Sequence, residues 1–346
     1  MIATKGYAAH NATTDPTPWN FEHRDPGPND VLLDIHFCGI CHSDIHQARN
    51  EWGNAMFPMV PGHEIVGKVA AVGSAVTKFK VGDSAANGCM VDSCRTCTSC
   101  KAGEEQYCEN FATVFTYNSK DKQGNLTFGG YANHIVADEA FVLKVPGNLD
   151  LAAAAPLLCA GITTYSPLKH FGAGPGKKVG IIGLGGLGHM GLKFSHAFGA
   201  KTVQFTTSAS KIEDAKKLGA DEVILTKEAD WTKNHIHSFD FILDCVAAPH
   251  DVNPYLSLLK RDGVYCTVGV PETPLSIQAF SVLGRKHVTG SMIGGIKETQ
   301  EMLDFCGKHN IVSDIEMTSF TKLSEAWTRV VKADVKYRFV LDCKAL

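Results

Sequence analysis

Lys178-Val-Gly-Ile-Ile-Gly183-Leu-Gly185-Gly186-Leu-Gly188-His-Met190 is the stretch that decides the fold. It reads as an apolar strand, a glycine turn and the start of a helix. The G-x-G-x-x-G register falls on Gly183, Gly185 and Gly188. In such a turn the first glycine permits the tight bend and the second lets backbone approach a pyrophosphate. The third lets the helix pack close to the strand, and the helix N-terminus attracts the anion. A glycine-rich turn by itself is only a turn, so its setting matters. Around it, short apolar runs alternate with helical segments: Val179–Ile182, Thr202–Thr206, Glu222–Leu225, Phe241–Leu243, Val264–Val268 and His287–Thr289. That rhythm predicts a parallel sheet with crossover helices over residues 151–290, an α/β domain for a dinucleotide.

The end of the second apolar run bears on which dinucleotide. A domain for NAD usually carries Asp or Glu about 20 residues beyond the glycines, to hold the ribose 2′-hydroxyl. Here the stretch is Thr202-Val-Gln-Phe-Thr206-Thr207-Ser208-Ala-Ser210-Lys211, without a carboxylate. Hydroxyls of Thr207 and Ser208 can donate to a 2′-phosphate, and Lys211 can supply the countercharge. The plainer reading is that Thr207 and Ser208 begin the next helix while Lys211 is solvated. The expectation is NADP(H).

Upstream, residues 1–150 are broken by Pro and Gly into short strand-like stretches such as Val31–Phe37, Gly67–Val72 and Tyr131–Val136, which predicts a β-rich, barrel-like domain. Within it, Cys94, Cys97, Cys100 and Cys108 fall in a lobe of about residues 89–109, at spacing C-x2-C-x2-C-x7-C. Four thiolates this close suit tetrahedral zinc, and a zinc closed by protein thiolates is structural. Paired disulfides would need an oxidising compartment, and the start Met-Ile-Ala-Thr-Lys lacks an apolar signal segment. An iron–sulfur cluster fits poorly, because Cys108 comes after seven residues and precedes Glu109 where the bacterial pattern has three residues and Pro. Downstream, residues 291–346 hold a helix-like segment near Lys297–Gly307 and a strand-like Tyr337–Leu341, consistent with a return to the first domain.

A second group of ligand types is dispersed. Cys38-Gly-Ile-Cys41-His42-Ser43-Asp44-Ile-His46 is dense in thiols and proton carriers; Gly62-His63-Glu64 and Leu157-Leu-Cys159-Ala-Gly-Ile-Thr163 follow far along the chain. Two thiolates and one imidazole make a zinc site with one open position. Taken singly, Cys159 in an Ala/Leu-rich segment reads as a small core residue and His63 as a turn histidine. Spacing does not bring residues 41, 63 and 159 together.

Bulk properties narrow the class. A chain of 346 residues is long enough for two domains with separate cores. A formal net charge of −3, with pI near 6.6, argues against nucleic acid or anionic membrane as the main partner. No apolar run has the length of a membrane-spanning helix. Twelve cysteines read as thiols and metal ligands of a reducing cytoplasm.

With these residues in view, the chain resembles the zinc-dependent medium-chain alcohol dehydrogenases, in particular their cinnamyl-alcohol-dehydrogenase-like branch. The resemblance covers essentially the whole chain. It is carried by Gly39-Ile-Cys41-His42-Ser43-Asp44, Gly62-His63-Glu64-Ile-Val-Gly67 with Gly73, the four-cysteine lobe, Cys159-Ala-Gly-Ile-Thr163-Thr-Tyr and Gly183–Gly188. It implies a GroES-like catalytic domain joined to a Rossmann domain, and two zinc ions per chain. Cys41, His63 and Cys159 would bind the catalytic one; Cys94, Cys97, Cys100 and Cys108 would bind the structural one. Glu64 matches the family's carboxylate behind the metal, and Asp44 the carboxylate that orients the imidazole of His63. His42, Thr163, Gly183, Leu184, Gly185, Gly186, Leu187 and Gly188 match cofactor-contacting positions. Arg338 matches an arginine that reaches the pyrophosphate.

The implied chemistry is hydride transfer between nicotinamide and a primary alcohol or aldehyde held at zinc. By resemblance a ribose hydroxyl links Ser43 to His46, which pass the alcohol proton to water; without the motif, His46 reads as a solvated loop histidine. Cys38 is read as core. Trp52 and Met56 match pocket-lining residues, giving a preference for aromatic or medium-chain aldehydes, although ordinary packing explains them equally well. Ser291-Met-Ile293-Gly-Gly295 is placed to close the pocket, with Ile293 against substrate. A polyol dehydrogenase of the same superfamily is disfavoured by the thiolate at Cys159, and a non-catalytic zinc- or nicotinamide-binding protein by the Ser43/His46 pair. An open strand edge near Lys286–Gly290, next to the apolar Met292-Ile293, predicts a homodimer.

Overall fold

The glycine-turn strand is the third of six parallel strands in the computed structural model, which describes all residues Met1–Leu346. The sheet order is Glu222–Leu225, Lys201–Thr206, Lys178–Ile182, Phe239–Asp244, Leu259–Thr267, His287–Gly290. Every neighbouring pair is parallel. A parallel sheet covered on both faces needs strands apolar throughout, and the central runs are buried accordingly. Helices Gly188–Ala197, Ile212–Lys217 and Asn253–Leu258 make crossovers. Phe205, Trp231, Phe239 and Tyr255 pack ring against ring beside the sheet, with centroids 5.1–5.7 Å apart.

A seven-stranded sheet organises the other unit. Its main path is Ile315–Thr318, Arg338–Asp342, Asp30–Gly39, Ile65–Val72, Ser84–Asn87, Val142–Lys144, and His134–Asp138 also pairs with Asp30–Gly39. All pairings are antiparallel except Ile315–Thr318 with Arg338–Asp342. The long strand Asp30–Gly39 is bulged against Ile65–Val72 at Leu32/Leu33 and Ile35/Phe37, which re-aims its end, where Cys41 follows. A hairpin of Ile2–Ala8 and Thr17–His23 adds a separate two-stranded sheet.

The chain divides into Met1–Ile162 with Gly294–Leu346, and Thr163–Ile293. The first crossing thus lies about twelve residues later than the expected 150/151. Residues Leu151–Ala154 and Ala155–Leu158 form short helices of small apolar side chains that pack on strands Asp30–Gly39 and Ile65–Val72, so they belong to the first unit. The boundary falls within helix Ala160–His170. The expected strand Tyr131–Val136 is also displaced, to His134–Asp138. Tyr131 is instead fully buried, and Ala132 makes an isolated bridge to Gly6. The expected helix near Lys297–Gly307 is Ile296–His309, a further helix Leu323–Val331 follows it, and the last strand is Arg338–Asp342.

Candidate functional site

The dispersed ligand types meet in the first unit. Donor atoms of Cys41, His63, Glu64 and Cys159 all lie within 4.8 Å of one another, and all four residues are buried. Cys41 ends the loop after strand Asp30–Gly39 and stands at the N-cap of helix His42–Ala48. Cys159 sits where the helical turn Ala155–Leu158 gives way to helix Ala160–His170. Their sulfurs are 3.8 Å apart and carry no disulfide. The hydrogen bond from Cys159 holds the Cys41 thiol well below its ordinary pKa against burial, aided by the charge of Arg338.

Asp44, fully buried in the first turn of that helix, organises the centre. Its carboxylate accepts from the backbone N–H of Cys41 (2.9 Å) and Gly62 (3.1 Å) and from the Tyr131 hydroxyl (3.3 Å). It also pairs with His63 Nδ1 at 3.0 Å, which leaves Nε2 as the nitrogen able to face a metal. Burial would lower the His63 pKa, but the Asp44 charge outweighs it and the shift is upward. Trp327 Nε1 donates to the Tyr131 hydroxyl (3.4 Å), and the Tyr117 ring stacks on His63 at 5.7 Å.

Glu64 Oε1 accepts from Arg338, while the buried Oε2 has no protein partner. A Cβ on residue 39 would sit 1.9 Å from that Oε2, so a side chain there would displace the carboxylate. An orphaned carboxylate oxygen beside two thiols and an imidazole fits a divalent cation. Cys38 is not part of the group: it is buried in the core, where burial pushes its thiol pKa well up, and its Sγ donates to the Gly39 carbonyl at 3.5 Å.

Cys94, Cys97, Cys100 and Cys108 form the second donor cluster. Cys94 Sγ accepts from the N–H of Thr96 (3.4 Å) and Cys97 (3.3 Å), and Cys97 Sγ from that of Cys100 (3.4 Å). Those amides bring the Cys94 thiol down to about 5, while burial pushes Cys100 up to about 12. Backbone donors aimed at sulfur are a suitable setting for metal-bound thiolates, and they fit zinc.

The proton-carrying residues lie beside the first cluster. Ser43 Oγ and Cys41 Sγ are 3.5 Å apart. The His42 ring stacks on His46 at 4.5 Å, and His46 on Trp52 at 5.4 Å. Burial lowers the His42 pKa. His46 Nδ1 meets the Glu51 carboxylate. Sequence reasoning passed over Glu51; its signal is an acid placed five residues on, where Glu51 N–H donates to His46 O at 3.0 Å. Tyr117 and Tyr131 were missed as well, because nothing local marks a tyrosine that reaches a distant carboxylate. Trp52 is 44% exposed, and Met56 N–H donates to Asn118 Oδ1 at 2.7 Å.

In the second unit, Gly183 takes φ +85°, and a Cβ at Gly188 would lie 1.9 Å from the Gly183 carbonyl oxygen. A Cβ at Gly185 would meet nothing within 4 Å; the open space over that turn fits a pyrophosphate. Gly186 and Leu187 complete the turn into helix Gly188–Ala197. Lys211 Nζ donates to Leu184 O at 2.9 Å, so it reaches the glycine turn across the strand ends. Ser208 N–H donates to Thr206 Oγ1 (3.2 Å), Thr207 is exposed, and the nearest following acids, Glu213 and Asp214, lie in the next helix. Thr163 is buried in helix Ala160–His170, and Ile293 has φ +42°. A cavity of about 780 Å³ in the first unit is lined by Arg24, Asp30, Asp92 and Arg95. Those charges pair with one another, and none of the donors above lines it.

Comparison with known proteins agrees with both units. Residues 27–147 match the alcohol dehydrogenase GroES-like domain, and 186–308 the zinc-binding dehydrogenase family. Aldehyde reductase YahK of Escherichia coli is 52% identical over 345 residues, 99% of each chain. The cinnamyl alcohol dehydrogenase of Sorghum bicolor superposes with TM-score 0.95 at 44% identity, covering 99% of this chain and 98% of that one. That of Helicobacter pylori, solved with NADP(H), gives 0.93 at 41%, covering 99% of each. The chain belongs to the zinc-dependent medium-chain alcohol dehydrogenases. These are oxidoreductases, and this dehydrogenase has their GroES-like and Rossmann-like parts. Its Cys41, His63 and four-cysteine lobe fall inside the GroES-like match, whereas Cys159 lies between the two matched regions.

Proposed function

We propose that the dehydrogenase is an NADP(H)-dependent aldehyde reductase that interconverts aromatic or medium-chain aldehydes and primary alcohols, with two zinc ions per chain. The observation that carries the reading is the buried cluster of Cys41, His63, Cys159 and the orphaned Glu64 oxygen. The E. coli relative is named an aldehyde reductase, and the H. pylori structure holds NADP(H); both support it.

Cys41, His63 and Cys159 would hold a zinc ion that would serve as a Lewis acid, and NADP(H) would supply or accept the hydride. The protein's own groups do the rest. Asp44 keeps Nδ1 of His63 engaged, so the imidazole presents one fixed nitrogen. Glu64 is available behind the thiols and is steadied by Arg338, whose buried Nε lacks a protein partner and so suits an anion. In the oxidation direction Ser43 would accept the alcohol proton while its own hydroxyl proton passes through the ribose hydroxyl to His46, whose Nδ1 meets Glu51, and from there to water. In the second unit, the glycine turn receives the pyrophosphate, and Thr207, Ser208 and Lys211 receive the 2′-phosphate. Trp52 and Met56 offer the apolar surface that selects the aldehyde.

Twelve cysteines, six of them gathered in the two donor clusters, suit a reducing, cytoplasmic setting. No single helix is long and apolar enough to cross a membrane. The test is a spectrophotometric panel of aldehydes and alcohols with NADPH and NADH. The reading predicts highest kcat/KM for aromatic or medium-chain aldehydes with NADPH. Preference for polyols, or no turnover with any member of the panel, overturns it.

A further inference from the structure

Strand Phe239–Asp244 lies next to the glycine-turn strand Lys178–Ile182, and the two lead to opposite halves of the parallel sheet. Lys201–Thr206 and Glu222–Leu225 lie on one side, Leu259–Thr267 and His287–Gly290 on the other. Such a switch point opens a crevice at the carboxyl ends of the strands, where a dinucleotide lies with one nucleotide on each half. The half with Thr207, Ser208 and Lys211 takes the adenosine end in the reading above. The half that begins at Asp244 is left for the nicotinamide end. The loop leaving Asp244 is packed on the glycine turn. Cys245 N–H donates to Ile182 O at 3.1 Å, and a Cβ at Gly183 would lie 2.7 Å from Val246 Cγ2.

One buried carboxylate, so far without a task, holds this loop. Asp244 is 1% exposed. Its Oδ1 accepts from Val246 N–H at 3.0 Å, and its Oδ2 accepts from the Tyr265 hydroxyl at 2.6 Å. His250 Nε2 lies 3.3 Å from the same Oδ2, and its Nδ1 lies 3.0 Å from the Ala248 carbonyl oxygen. Both oxygens can only accept, so both ring nitrogens must carry hydrogen, and only the imidazolium does so. A neutral ring would lose one of the two contacts. Contact with Asp244 accordingly raises the His250 pKa against burial. The other charge facing the ring is Asp251. The Tyr255 ring meets it edge-on at 6.1 Å. Burial pushes the Tyr255 and Tyr265 hydroxyls up, that of Tyr255 to about 12, so both stay neutral.

We propose that Asp244, Tyr265 and protonated His250 position loop 245–250 for the nicotinamide half of the cofactor. The proposal rests on the reading above that this unit binds NADP(H), and it deepens that reading with three positioning residues and a pH dependence. With the His250 pKa raised in the fold, both of its contacts are complete below its ordinary 6.5, and one is lost as pH rises through the raised value. Affinity for the nicotinamide half should fall over that interval.

The test uses the full-length holoenzyme and calorimetric binding of NADPH and of adenosine 2′,5′-bisphosphate, which carries the adenosine and 2′-phosphate but no nicotinamide. His250→Ala should raise the NADPH Kd roughly three- to thirtyfold at about pH 6, at or below the range of one lost hydrogen bond to a charged group, and by less at about pH 9. Ratios to wild type at each pH cancel the titration of the cofactor's own 2′-phosphate. Tyr265→Phe removes one donor from the same carboxylate and keeps the ring. It should raise the NADPH Kd by a similar factor at both pH values, and it serves if the alanine variant does not fold. Neither variant should move the Kd of the bisphosphate by more than about twofold, since that ligand stays on the other half of the sheet. Wild-type NADPH affinity in both variants, an equal loss for the bisphosphate, or a His250→Ala ratio that is flat with pH would each overturn the proposal. If the wild type binds NADH more tightly than NADPH, the cofactor reading fails, and the same comparison with NADH and 5′-AMP still decides what the loop does.

Discussion

Asp44 shows how one buried side chain sets the chemistry of several others. It satisfies the amides of Cys41 and Gly62 and fixes the ring of His63, so helix His42–Ala48 and the loop at Gly62 are held in register by a single carboxylate. Two predictions belong at this scale. Cys159→Ser or His63→Ala should leave a folded protein with about one zinc per chain and almost no turnover, because several kcal/mol of transition-state stabilisation disappear with the Lewis acid. An active Cys159→Ser enzyme retaining both zincs by metal analysis would refute the ligand assignment. Ser43→Ala should cost more than His46→Ala, since Ser43 is nearer the reacting oxygen. For His46→Ala the loss should be at or below about 10²-fold, greatest at low pH where hydroxide cannot substitute. Flat pH–rate ratios to wild type for both variants would remove them from the proton path. The motif around Cys41 made Ser43, Asp44 and His46 visible in the sequence. Glu51, Tyr117 and Tyr131 were invisible because their importance arises only from contacts made by folding.

Elements were legible where their physics is local. A parallel strand buried on both faces is largely apolar and β-branched, so Val179–Ile182 and Thr202–Thr206 could be picked out nearly to their observed ends, and so could the edge strand Glu222–Leu225, in which only Ile224 is buried. The first unit was harder. Its strand Asp30–Gly39 is bulged, and Tyr131 is drawn from its expected strand into the core by long-range packing under Trp327. The same contrast separates the two tests at this level. At the four-cysteine lobe, a hairpin of Met90–Asp92 with the following Val114–Phe115 and two short helical turns bury little of their own, so a bound metal would supply folding free energy there. Cys100→Ser should lower yield and melting temperature together with zinc content, and an unchanged melting temperature would show that the lobe folds without metal. In the turn after Thr206, the proposed selectivity for NADP(H) rests on a missing acid and a reaching lysine. Lys211→Ala should weaken NADPH more than NADH, by about 1–2 kcal/mol for a lost charge-assisted hydrogen bond. Thr207→Asp should shift preference toward NADH by repulsion of the 2′-phosphate. Higher kcat/KM with NADH in the unmodified enzyme would contradict this account.

At the scale of the molecule, the six-stranded sheet ends on His287–Gly290, a strand with one neighbour and a partly exposed surface. An open edge presents unpaired N–H and C=O groups and invites further pairing unless it is blunted. The charges near it stand at its start, where Arg285 pairs with Asp262 and Lys286 donates to the Leu256 carbonyl, while His287-Val-Thr-Gly290 itself carries no Lys, Arg or acid. The adjacent helix Ala279–Val282 buries none of its residues, and Val270, Phe280, Leu283 and Met292 are exposed, Phe280 at 88%. Scattered exposed apolar residues are ordinary, but several within about twenty residues of one sheet edge are what a self-pairing interface would present. A two-fold axis beside the edge would let the strand pair with its own copy and bury the same side chains on both chains, which is the self-complementary arrangement a closed dimer requires. The dehydrogenase should therefore scatter light as a particle of twice its 37.3 kDa chain mass at micromolar concentration. Phe280→Asp combined with Leu283→Asp should yield monomers, since two charges would be desolvated at each copy of the contact, at several kcal/mol in all. A monomeric wild type, or a double variant that remains dimeric, would show that this edge is protected in some other way.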